Sequence, residues 1–165
     1  MKILLALASI LVLATACTTT EPVDPVAELL TMQQLTMSPG YSWFMAEMDS
    51  YLPKQTVLDD IAVSMTQNTN RRVCIFVKPS CSCRGTQRLF PQIVKALVAA
   101  KVDMNRVEIW SMRAATDTHP YQSIITIGEL PTIYVVENNA VRSMVSDKEY
   151  VDTNAAELIA NAVRD

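Results

Sequence analysis

The chain has 165 residues, half of them apolar and 19% charged, so it is sized for a single domain with a real core and is not a disordered polymer. Its formal net charge of −3 and the lack of any cluster of lysine and arginine leave nothing to attract nucleic acid.

The first residues read as an export leader. Met1-Lys2 is a short basic start, residues 3–13 are an apolar run too short to span a bilayer, and Ala14-Thr15-Ala16 is a small-residue cleavage site before Cys17. Residues 13–17, LATAC, resemble the lipobox of bacterial lipoproteins, with Ala14 where leucine is commoner. That resemblance implies a signal peptide over residues 1–16, lipidation of Cys17 with palmitate among its acyl chains, and a membrane anchor in the bacterial cell envelope. Thr18, in place of the aspartate that retains such proteins in the inner membrane, points to the outer membrane facing the periplasm. Loss of Lys2 with the leader takes the side-chain balance from −3 to −4. With Cys17 assigned to lipid, Cys74, Cys81 and Cys83 remain, and one pair plus one buried cysteine fits that odd number.

Residues 17–25 are polar, hold two prolines and lack periodicity, which reads as a tether. A short helix is expected over 26–35, interrupted by Ser38-Pro39-Gly40. Residues 41–52 mix Tyr41, Trp43, Phe44, Met45, Met48 and Tyr51 with acidic residues and stop at Pro53. These methionines, with Met32, Met37 and Met65, read as adaptable core filling before soft-metal ligands. Helical spacing covers 56–67, and Asn68-Thr69-Asn70 closes it.

A β-rich run over 72–78 follows, then Pro79, Cys81 and Cys83. Beyond the cysteines, Leu89, Phe90, Ile93, Val94, Leu97 and Ala100 share one helical face, and Pro91 is expected to kink that helix. A second strand is expected over 106–112 with Trp110 in the core, a short helical or irregular crossover over 117–123, and a third strand over 132–136. Asn138-Asn139 supplies a hairpin turn to a strand over 140–145, and Thr153 or Asn154 caps a last helix to residue 163. The order predicts an α/β fold: a central mixed four-stranded sheet with its first two strands parallel, helices on both faces, and an N-terminal helical extension over 26–69 of the domain 26–165.

Thiols after the first core strand, a proline within the next helix, and Leu130-Pro131-Thr132 opening the third strand together resemble the thioredoxin fold over residues 70–165. The resemblance implies that Pro131 is cis, and that Leu130, Pro131 and Thr132 lie beside the thiols and bind substrate peptide. It also implies thiol-disulfide exchange, of reductase or isomerase type, with protein thiols or disulfides of the periplasm as partners. No cofactor is expected, and the chain is expected to be monomeric. The departures are specific: the spacing is Cys-x-Cys rather than Cys-x-x-Cys, and serines replace the usual tryptophan. Counting from Phe76, Cys81 takes the attacking position; counting back from Pro91, Cys83 takes it and Thr86 stands in the resolving position.

The residues themselves point the same way. A cysteine in the first turn of a helix faces unpaired N–H groups and the positive end of the macrodipole, which favour thiolate. One thiolate of the Cys81/Cys83 pair would attack a disulfide and the other resolve it. A binding module without turnover is a second reading, favoured by the missing tryptophan and altered spacing. A Cys-x-Cys site for Cu(I) or Zn is a third, but two ligands are too few to close a zinc site. Cys74 reads as a buried structural cysteine and His119 as an exposed loop residue, so no metal site is expected. Lys78 and Arg84 flank the thiols, either to lower their pKa or as solvated charges.

Overall fold

A computed structural model describes residues 25–165; the leader, Cys17 and all of the tether except Pro25 lie outside the described residues. The elements run β1 (Glu28–Leu30), α1 (Met32–Met37), α2 (Phe44–Ser50), α3 (Gln55–Gln67), β2 (Arg71–Val77), α4 (Phe90–Ala99), β3 (Val107–Ser111), β4 (Thr132–Glu137), β5 (Ala140–Ser146) and α5 (Ala155–Arg164). They build one mixed sheet in the order β1-β3-β2-β4-β5.

β2 is the centre of that sheet. It pairs in parallel with β3, from Val73 opposite Val107 to Val77 opposite Ser111, and antiparallel with β4, from Arg71 opposite Glu137 to Phe76 opposite Thr132. Because both neighbours and both faces are covered, residues 73–77 are all buried, which explains their unbroken apolar run. The β4–β5 hairpin turns on Asn138 and Asn139, both with positive φ (51° and 61°), the pairing a tight two-residue turn requires.

The sheet has five strands where four are expected, because residues 28–30 form a strand and not the start of a helix. Glu28, Leu29 and Leu30 pair antiparallel with Ser111, Trp110 and Ile109, which covers an edge of β3 that would otherwise lie open. The helix begins only at Met32, where Thr31 and Gln34 form a reciprocal capping box: the Thr31 hydroxyl accepts the Gln34 N–H and the Gln34 side chain accepts the Thr31 N–H.

The expectation of helices on both faces is also corrected. One core gathers Val73, Ile75, Val77, Ile109, Ile133 and Val135 with buried residues of all five helices. The opposite face carries Cys74, Phe76, Trp110, Tyr134 and Val136, and it is covered by the irregular segment 112–130 through Met112, Ile125 and Ile127. That segment is tied down by polar contacts rather than by periodicity. Tyr121 donates to Glu108 at 2.8 Å, Tyr134 donates to the Thr126 carbonyl at 3.0 Å, and the Arg113 N–H donates to Asp117 at 2.7 Å. Trp110 also donates to Glu108, at 3.1 Å, and is buried as expected.

The helix after the cysteines starts at Arg84 and opens with a π segment, Gly85–Leu89, before α4. The Phe90 N–H reaches back five residues to the Gly85 carbonyl. Pro91 has no N–H to give, and its ring would press on a carbonyl four residues back, so a wide turn just ahead of it absorbs the conflict. Pro91 therefore lies inside the continuous helical run 84–99, in the first turn of α4 just after the π segment. At the far end of the chain Asn154 precedes α5, but its side chain accepts the Val151 N–H instead of capping the helix.

Candidate functional site

The thiol loop leaves the end of β2 at Val77 and enters the helix at Arg84. Cys83 is the residue that launches that helix, since its carbonyl accepts the Gln87 N–H at 3.0 Å. Its own N–H donates to the Cys81 sulfur at 3.2 Å. The two sulfurs are in bonding contact, with their Cα atoms 5.3 Å apart, and both side chains are half-buried. Thus the two cysteines singled out in the sequence are brought together, at the positive end of a helix and within reach of solvent.

Of the three residues named for substrate contact, Pro131 lies against the thiol-bearing helix. The Leu130–Pro131 bond is cis. A Cβ placed on Gly85 would stand 2.8 Å from Pro131 Cγ and 2.8 Å from Asp147 Cγ, so glycine alone allows the helix start, the proline and the turn after β5 to meet. Leu130 is half-buried beside it. Thr132 is 2% exposed, pairs with Phe76 and Ser146 across the sheet, and its hydroxyl has no partner; it supports the strand and does not offer a contact surface. Thr86, in the resolving position of the alternative register, is wholly buried with an unpartnered hydroxyl.

The flanking cations divide. Arg84 is turned away from the sulfurs: it donates to the Tyr150 carbonyl at 2.7 Å and lies over the Tyr150 ring at 5.2 Å. Its work is to hold the segment after β5 onto the helix. Lys78 is exposed and makes no ion pair among the described residues.

Cys74 and His119 are elsewhere. Cys74 faces the crossover side of the sheet, fully buried, and burial pushes its thiol up to about 12 against a weaker opposing contact from Tyr121. His119 is buried and not exposed as expected: its ring lies 4.9 Å from that of Phe76, Nδ1 has no partner, and burial lowers its pKa. The adjacent Pro120 signals a loop in the sequence but not that the loop folds back under the sheet. No group of three or more His, Cys, Asp or Glu side chains converges among the described residues.

The Cys74 environment carries a direct expectation. Reduced native protein treated with iodoacetamide near pH 8 should be labelled on Cys81 and Cys83, and on Cys74 only after unfolding. Because the folded thiol binds its proton more tightly than the unfolded one, its contribution to stability is full below the ordinary thiol pKa of 9.0. It is then lost as pH rises toward about 12. A label found on Cys74 by peptide mapping of folded protein at pH 8 would contradict the burial.

Two contributors are not evident from the thiol pattern alone. The chain has only three glycines, and two of them pack on this loop: Gly85 against Pro131, and Gly40 against Pro79 and Ser80. Neither has a positive φ, so close approach and not backbone freedom requires them. Scarcity of glycine is the signal that could have found them. A cleft of about 740 Å³, lined by Tyr51, Lys54, Arg88, Gln92, Asp152 and Glu157 among others, holds no cysteine, and within it Lys54 pairs with Glu157 and Arg88 with Asp152.

Comparisons of the chain with family models, with curated proteins and with solved structures each find no match. Among the described residues no helix is long and apolar enough to cross a membrane.

Proposed function

We propose that the chain is a thiol-disulfide oxidoreductase of thioredoxin-like fold that works through Cys81 and Cys83. The observation that carries the proposal is the half-exposed pair of sulfurs in bonding contact at the start of a helix, with Pro131 packed against Gly85 one turn away. The strand order β3-β2-β4-β5, with a parallel first pair and a terminal hairpin, supports the fold resemblance; β1 and the single-sided helices are departures from the expected arrangement.

Cys81 is the attacking thiol in this reading. Its sulfur already accepts the Cys83 N–H, and a hydrogen bond to the charged form favours thiolate. The Cys81 thiolate bonds to one sulfur of a substrate disulfide, that S–S bond breaks, and the departing thiolate takes a proton. Cys83, as thiolate, then attacks the Cys81 sulfur, breaks the mixed disulfide and releases the second substrate thiol. The substrate gains two electrons and two protons, and the protein is left with a Cys81–Cys83 disulfide. A dithiol protein or a low-molecular-weight thiol must return those electrons for turnover.

The test follows reduction of a protein disulfide in the presence of dithiothreitol, comparing the native chain with a variant in which both cysteines are serine. Acceleration by the native chain and none by the variant is expected; equal rates would remove the reading. The leader adds a location: Cys17 lipidated and the domain held at the cell envelope. That part is supported by the sequence alone, and palmitate labelling of cells that persists in Cys17→Ser would refute it.

A further inference from the structure

We propose that Gly40 is a positioning residue for the Cys81–Cys83 pair, its carbonyl clamping Ser80 in the left-handed conformation that delivers Cys81 to the start of the thiol-bearing helix. The proposal rests on the redox reading of that pair.

Ser80, the residue immediately before Cys81, has φ 56°, a region that residues with a side chain seldom occupy. Such a conformation persists where surrounding structure holds it. The hold is on the N-terminal extension, far away in sequence. The Ser80 N–H donates to the Gly40 carbonyl at 3.0 Å, across the tight turn Pro39–Tyr41. A Cβ on Gly40 would lie 3.1 Å from Pro79 Cβ and 3.5 Å from Ser80 Oγ, so a side chain at 40 requires the turn and the loop to separate by a few tenths of an ångström.

The same turn grips the other side of the thiols. Tyr41 donates to Ser111 at 2.9 Å, and its ring stands edge-on to Trp43 at 6.0 Å and to Phe90 at 6.2 Å. Phe90 opens α4, within two turns of Cys83. One short turn of the extension therefore touches the residue before Cys81 and the helix after Cys83. Those are the two ends of the segment that decides whether the sulfurs meet. Ser80 immediately precedes Cys81, so a change of backbone direction at Ser80 redirects Cys81.

The test equilibrates the native chain, Gly40→Ala, Gly40→Val, and each of these with Ser80→Gly in glutathione buffers, and reads the fraction with the Cys81–Cys83 bond closed by alkylation and mass measurement. Closure sends two electrons and two protons from the thiols to one glutathione disulfide, giving two glutathiones. The closure constant is expected to fall about tenfold in Gly40→Val and less in Gly40→Ala, since misplacing reacting groups by about an ångström is costly. Ser80→Gly should bring it back to within about twofold, because glycine holds a positive φ unaided. Thermal midpoints taken on the same samples should not follow this pattern, and Gly40→Ala decides the matter if Gly40→Val does not fold. An unchanged constant in both Gly40 variants, or a loss that Ser80→Gly does not recover, overturns the proposal and leaves the redox reading standing. A native chain that closes no internal bond at any glutathione ratio overturns both.

Discussion

If Cys81 attacks as proposed, Cys81→Ser is expected to slow disulfide reduction by about 10³-fold or more, because it removes the atom that would form the first bond. Cys83→Ser should behave differently. The Cys81 thiolate keeps the Cys83 backbone N–H as a donor, since that group belongs to the main chain and survives the substitution. The first attack therefore proceeds, and the mixed disulfide accumulates because nothing resolves it. Mass measurement after exposure to a disulfide peptide should show one stable adduct on Cys83→Ser and none on Cys81→Ser. The reverse pattern would assign attack to Cys83 and restore the register counted back from Pro91. In that register Thr86 holds the resolving position, and it is a buried residue without a thiol.

Gly85→Val is expected to destabilise the domain by about 1–3 kcal/mol, the usual range for overfilling a packed site. A competing gain exists, since replacing glycine inside a helix recovers roughly 0.5–1 kcal/mol of backbone entropy when the new residue is alanine, and less when it is β-branched. Space decides the sign. The new Cβ alone meets the Pro131 ring at 2.8 Å, and that ring cannot rotate away; Asp147, also at 2.8 Å, can swing out but only by leaving its own packed place. The consequence reaches the chemistry, because Pro131 and the start of the thiol-bearing helix can no longer be in contact. Thermal unfolding should show a lower midpoint, with Gly85→Ala between the native chain and Gly85→Val. A midpoint at or above native in Gly85→Val would mean that the junction yields cheaply, and its role in seating Pro131 would be lost.

Much of the fold was legible because its signals are local. Residues 73–77 read as a central strand since a strand covered on both faces has no polar positions to break its run. Asn138-Asn139 read as a hairpin turn since asparagine tolerates the positive φ that such a turn needs. Helix α3 was visible as spaced apolar residues, and Leu58, Ile61 and Met65 are the ones buried. The errors fall where a neighbour distant in sequence decides. Residues 28–30 have no strong preference of their own and become a strand because β3 offers an open edge, while the Thr31–Gln34 capping box sets the helix start. His119 is buried because segment 112–130, lacking any period, is fastened down by Tyr121, Asp117 and Tyr134.

The sequence by itself determined which atoms are chemically capable: two cysteines one residue apart, after a β-rich run and before an amphipathic helix, with Leu130-Pro131-Thr132 opening a later strand. Thiol chemistry and helix dipoles act over a few residues, so composition and order are enough to locate them. Only the tertiary structure decided how those atoms are held. It placed Gly85 against Pro131, turned Arg84 toward Tyr150, buried Cys74 on the far face, and set the Gly40 carbonyl on Ser80. Each is a contact between segments tens of residues apart, and no local pattern encodes such a distance.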